Sequence, residues 1–154
     1  MQSNMRTALT ILCATLALCV VPNAQAAQCS NGGIAGEWGF TSTGSVVLPT
    51  GAIPFGAVGR IAFDVAGNIT GSQTASINGH VTQETIKGSI TVNPDCRATA
   101  TVSIFEGRTL VRTSGLRAVF VANQTVFRVI FASVALPSGG SLSSVITIEG
   151  NRLF

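Results

Sequence analysis

The sequence predicts an all-β fold, a single antiparallel up-and-down β-barrel of about eight or nine short strands, and three observations predict it. The first is composition: 154 residues with 17 Gly, eight Phe, one Trp, no Tyr and only 10% charged residues, rich in the Val, Ile and Thr that suit a pleated, half-buried surface. The second is alternation. Ile61, Phe63 and Val65 alternate with Arg60, Ala62 and Asp64, the period-two pattern of a strand with one buried face. The third is turn chemistry at short, regular spacing, above all Asn78-Gly79, since a type I′ turn needs positive φ at both central positions. Regularly spaced short strands mean a sandwich or a barrel. The first and last strands both have the composition to pair, and closure would remove exposed edges.

In chain order, residues 1–26 read as a cleavable bacterial signal peptide. Arg6 supplies a positive start, Ala8 to Val21 an apolar core, and Ala24-Gln25-Ala26 an A-x-A cleavage site. The apolar run is too short for a membrane anchor and is broken by Pro22 and Asn23. Residues 27–154 are then one secreted or periplasmic β-barrel domain. Cys13 and Cys19 depart with the leader, which leaves Cys29 and Cys96 available as a disulfide in an oxidising compartment. The loop they enclose is long, so the chain-entropy account gives roughly 4 kcal/mol of stabilisation. Metal ligation by the same thiols is the weaker alternative, because the chain has one histidine and no CxxC.

The first strand of the domain is Gly36-Glu37-Trp38-Gly39-Phe40, with Trp38 and Phe40 on one face. From Gly59 to Cys96 a meander follows. Ala66-Gly67-Asn68 is its first turn, and Ile69 to Ile77 places Thr70, Ser72, Thr74 and Ser76 opposite Ile69, Gly71, Gln73, Ala75 and Ile77. After Asn78-Gly79 the strand from His80 to Val92 changes apolar phase, which predicts a β-bulge around Lys87-Gly88. Pro94-Asp95 turns into the alternating run Arg97 to Ile104, and Glu106-Gly107-Arg108 turns again. Thr109 to Thr113, Leu116 to Val121 and Thr125 to Ala132 read as separate strands, with Ser143 to Leu153 as the closing one.

Two resemblances attach to these residues. The G-x-W of Gly36-Glu37-Trp38, with Arg152 near the chain end, resembles the start and finish of a lipocalin, a calycin barrel. The resemblance implies that Trp38 closes the barrel bottom and that Arg152 lies across its ring, a cation–π contact of about 0.5–2 kcal/mol. More of the chain, through GEWGF, GRIAFDVAGNITGSQT and TVNPDC, is similar to small secreted bacterial proteins of unassigned function. That likeness implies a scaffold and no activity.

For function, the interior is the candidate site. Trp38 and Phe40 on the first strand, Ile61 and Phe63 on the second, Gln73 on the third, and Phe127 and Phe131 near the C-terminus would line it. Such an interior either encloses a small apolar ligand or collapses into a filled core. The first reading makes the chain a non-enzymatic binder. An alternative is a cyclase or isomerase similar to the allene oxide cyclase barrels, whose signature here would be an inward Glu84, Gln73 or arginine. A structural surface or matrix protein is the third.

No catalytic set, cofactor site or metal site is legible. His80 is the single histidine, at a strand end, and along one strand it stands some 13 Å from Glu84 at about 3.3 Å per residue. No serine sits in a G-x-S-x-G elbow. The net charge is +3 with the arginines dispersed, so no basic stripe points to nucleic acid. Stable membrane insertion is not expected either, because an outer-membrane barrel carries aromatic girdles and spanning strands of about 9–11 residues. Both faces of Leu116 to Val121 and Thr125 to Ala132 are rather apolar. A second copy of the chain, or the segment Val46 to Phe55 folded across, would cover the outer one.

Overall fold

Eight antiparallel strands in simple up-and-down order close into one barrel in the computed structural model, which describes residues 28–154. Residues 1–26, read above as a signal peptide and containing Cys13 and Cys19, lie outside the described residues. The strands are β1 (Gly36–Leu48), β2 (Gly51–Phe63), β3 (Asn68–Ile77), β4 (His80–Val92), β5 (Arg97–Glu106), β6 (Thr109–Val121), β7 (Val126–Ala135) and β8 (Ser143–Arg152), preceded by a one-turn helix, α1 (Asn31–Ile34). Each strand pairs with the next. β1 also pairs with β8, from Trp38↔Arg152 to Val47↔Ser143, which closes the barrel, while β7 and β8 pair only from Val126↔Asn151 to Ile130↔Thr147.

Alternation places the side chains as read. Ile69, Gly71, Gln73, Ala75 and Ile77 of β3 face inward while Thr70 and Ser72 are exposed. The β3–β4 hairpin turns on Asn78 (φ 51°) and Gly79 (φ 84°), both in the left-handed region that a type I′ turn requires. At the β2–β3 turn Asp64 accepts bonds from the Asn68 side-chain Nδ2 (2.6 Å) and backbone N (2.8 Å), which hold its carboxyl below the usual aspartate range.

Several expectations fail for identifiable reasons. The strands are 10 to 13 residues long rather than short. Ser114-Gly115 is no turn: it lies within β6, which runs unbroken from Thr109 to Val121. Strand length therefore no longer argues against a membrane-spanning barrel. The outer face of β3–β5 is nonetheless hydroxyl-rich, with Thr70, Ser72, Thr85, Thr91, Thr99 and Thr101 exposed. No bulge occurs at Lys87-Gly88, because β4 keeps register throughout and Val81 simply points out, 61% exposed. The bulges are elsewhere. Val111 is the extra residue between Phe105↔Leu110 and Ile104↔Arg112, and Ala132 the extra one between Leu116↔Phe131 and Gly115↔Ser133. Val46 to Phe55 forms the β1–β2 hairpin, so it cannot lie across β6 and β7. On that outer face Val119 pairs with Arg128 and Ile130 with Arg117, and these charges interrupt the apolar surface.

One end of the barrel is plugged. Trp38, fully buried, meets Phe127, Phe120 and Phe63 at ring-centroid distances of 5.3, 5.8 and 5.9 Å. A Cβ at Gly150 would overlap the Phe127 ring, so this seat needs glycine. Beneath lies α1, capped by the Ser30 hydroxyl, which accepts from Gly33 N (3.0 Å). Trp38 Nε1 donates to Ile34 O (3.0 Å), and Arg152 Nη2 donates to Gly33 O (2.7 Å) and Ala35 O (2.9 Å). Cys29 and Cys96, bonded to each other with Cα atoms 4.9 Å apart, tie this plug to the end of the meander. Gln124 reaches the plug from the β6–β7 turn, where Ala122, Asn123 and Gln124 all hold positive φ (51°, 55°, 62°).

Two consequences are measurable. Cys96→Ser should lower stability by roughly 4 kcal/mol with the β circular-dichroism spectrum retained; an unchanged melting temperature would contradict the role of the bond. Ala122→Gly should raise stability by about 0.5–1 kcal/mol in a denaturant titration, because the left-handed conformation penalises a Cβ by more than glycine loses in unfolded-chain entropy. A destabilised Ala122→Gly variant would show that the turn carries no such strain.

Candidate functional site: a polar layer above an apolar cavity

Halfway along the barrel the apolar lining is interrupted. Glu84 of β4 faces inward beside its cross-strand partner Gln73 of β3, whose Nε2 donates to Glu84 Oε2. Arg112 of β6 reaches across the inner face of β5, above its own partner Ile104, and grips Glu84 with both terminal nitrogens, Nη1 to Oε1 and Nη2 to Oε2, each at 2.6 Å. The Glu84 side chain has no exposure and that of Arg112 has 13%. The guanidinium also stands 5.9 Å from the centroid of the Phe55 ring. Charge is thus compensated inside the barrel. Every carboxylate oxygen of Glu84 has a donor, so the pair is geometrically complete.

Below this layer lies a cavity of about 70 Å³. Its walls are chiefly Phe40, Ile61, Phe63, Phe127 and Phe131 with aliphatic side chains of β3–β6, and Gln73, Arg112, Ser42 and Ser114 are its polar members. The Ser42 hydroxyl donates to Thr147 O (3.1 Å). The Ser114 hydroxyl, fully buried, has no partner among the described residues. An unpaired buried hydroxyl costs about 1–3 kcal/mol. Phe55, which also borders the cavity, forms a second apolar cluster with Ala57, Ala75 and Ile146.

The interior residues named from the sequence fall as follows. Phe40, Ile61, Phe63, Gln73, Phe127 and Phe131 line the cavity, whereas Trp38 lies beneath it as part of the plug. Arg152 is set with its Cζ 5.3 Å from the Trp38 ring centroid, at the closing register of β1 and β8. His80 is exposed at the strand start. Sequence reasoning missed Arg112 and Ser114. The signal was present: counting back by twos from Phe120 through Ala118 and Leu116 reaches both, but the false turn at Ser114-Gly115 stopped the count. Among the described residues no three His, Cys, Asp or Glu side chains gather as a metal site, and no helix is long and apolar enough to cross a membrane.

No family model matches the chain, and no curated protein matches it. Among solved structures it is similar to a redesigned β-barrel, mFAP1, bound to DFHBI, with 16% identity, a TM-score of 0.50 and coverage of 77% of this chain and 94% of that one. It is also similar to EF1p2_mFAP2b bound to DFHBI, with 14% identity, a TM-score of 0.54 and coverage of 77% and 93%. At these identities the likeness concerns the fold, a closed all-β barrel.

Removing one partner of the ion pair leaves a charge stranded in the interior. Arg112→Met should therefore destabilise the barrel by about 3–5 kcal/mol in urea unfolding, and adding Glu84→Gln to it should restore most of the loss. Equal destabilisation by the single and double variants would contradict a coupled, desolvated pair.

Proposed function

We propose that this chain is a secreted or periplasmic, calycin-like barrel that binds a small, mainly apolar molecule and performs no chemistry on it. The cavity carries this reading: an apolar chamber with a few convergent polar groups is the usual form of a small-molecule site. Two barrels of the same fold hold a small ligand, DFHBI, which supports the architecture as a container. The paired Cys29 and Cys96 accord with an oxidising compartment, and with the signal peptide read in residues 1–26. Membership of the small secreted bacterial proteins that the sequence resembles belongs to the same proposal.

Size limits the ligand. A cavity of roughly 150 Å³ accepts benzene, and this one is under half of that. A ring-sized molecule enters only by displacing half-buried wall residues such as Ile61 and Phe131, a rotamer change of the ordinary kind on binding. A second reading, a cyclase or isomerase of the allene oxide cyclase type, draws on the inward Glu84, Gln73 and Arg112. The binder is favoured over it because Glu84 has its oxygens taken up by Arg112 and Gln73, which leaves a poor general base.

Titration of the purified protein with toluene, followed by amide NMR shifts and Trp38 emission, should give saturable changes centred on Phe63, Phe127 and Phe131 with a dissociation constant on the order of 1 mM. Shifts confined to surface residues, or none, would contradict the proposal.

A further inference from the structure

Two buried hydroxyls, those of Thr82 and Ser114, have no hydrogen-bond partner among the described residues, and Ser114 is the one that lines the cavity. Alanine serves at several other small positions of the inner wall: Ala98 and Ala100 on β5 and Ala118 on β6 itself. An alanine at 114 would fill the same space without burying a hydroxyl that has no partner. The other serine of the cavity, Ser42, has its bond to Thr147 O. Two residues along the same inner face stands Arg112, about 7 Å up the strand. Both of its hydrogen bonds go to Glu84 and use one proton from each Nη, which leaves three of its five N–H donors uncommitted. The cavity therefore presents spare donors from one strand above an apolar floor. Its one ion pair is neutral overall, with Glu84 saturated by Arg112 and Gln73.

From this we infer that Ser114 and Arg112 are a donor pair that anchors the acceptor oxygen of a neutral, otherwise apolar ligand, such as a ketone, aldehyde or ester, with the ligand body lying against Phe40, Leu116 and Phe131. An anion would have to displace Glu84 from Arg112 or leave an uncompensated negative charge in a desolvated interior, so carboxylates are disfavoured. A plain hydrocarbon fits the floor but leaves the Ser114 hydroxyl unpaired. The inference rests on the binder reading above and adds to it the chemical class of the ligand and the residues that select it.

The test uses an isosteric pair, cyclopentanone and methylenecyclopentane, together with cyclopentanecarboxylate, titrated into the wild-type protein and into Ser114→Ala and followed by NMR. Ser114→Ala removes an unpaired hydroxyl and keeps the fold. The expected result is that the variant weakens cyclopentanone binding about five- to tenfold, the equivalent of one lost hydrogen bond, and changes methylenecyclopentane less than twofold. The carboxylate binds more weakly than the ketone. The carbonyl stretch of bound cyclopentanone is shifted to lower frequency in the wild type and moves back toward its value in apolar solvent in the variant. If both neutral probes bind and Ser114→Ala alters neither, the anchor is wrong while the binder reading stands. Tighter binding of the carboxylate overturns the claim of a neutral ligand. If neither neutral probe binds, the binder reading fails and this inference falls with it.

Discussion

Closure through β1 is the constraint on which the other features depend. Because β1 pairs with β2 on one side and β8 on the other, every strand has two partners and a single inner face. The register of closure brings Trp38 and Arg152 opposite each other, so the last strand delivers the cation that holds both the tryptophan ring and the carbonyls of the one-turn helix below it. The aromatic cluster, the plug and the Cys29–Cys96 bond all lie at that end. A rigid closed end leaves the middle of the barrel as the place where packing is relaxed.

What occupies the middle is unusual for a core. A buried glutamate and arginine pair adds little to stability compared with apolar residues of similar size, and a buried serine without a partner subtracts from it. Arg112 of the pair and Ser114 both lie on the walls of the same cavity. Stability alone does not account for them. Their grouping around one space is the physical basis for reading that space as a receptor.

The legible parts of this architecture were local. Alternation in β2 and β3 and positive φ at Asn78-Gly79 are each properties of a few adjacent residues. What sequence could not supply was phase across irregularities. The Val111 bulge changes the phase of β6 only ahead of Arg112, which keeps the inward series of Ser114, Leu116, Ala118 and Phe120, but an internal Gly115 in β6 imitates a turn although its neighbours remain paired on both sides and so hides that series. The pairing of Glu84 with Arg112 spans an intervening strand, so it depends on barrel curvature and side-chain length. Neither is encoded in spacing. The helix α1 is a single turn, too short to show any period, and it is held by its cap and by Arg152.

The measurement that bears most directly on the account is native mass spectrometry of the protein purified from its own host, followed by organic extraction and identification of any accompanying compound. A stoichiometric added mass that extracts as a small, neutral, oxygen-bearing and mainly apolar molecule is the predicted result. A protein that carries no added mass at any loading, and whose interior amides exchange no faster than those of the plug, would contradict it and make the barrel a filled scaffold.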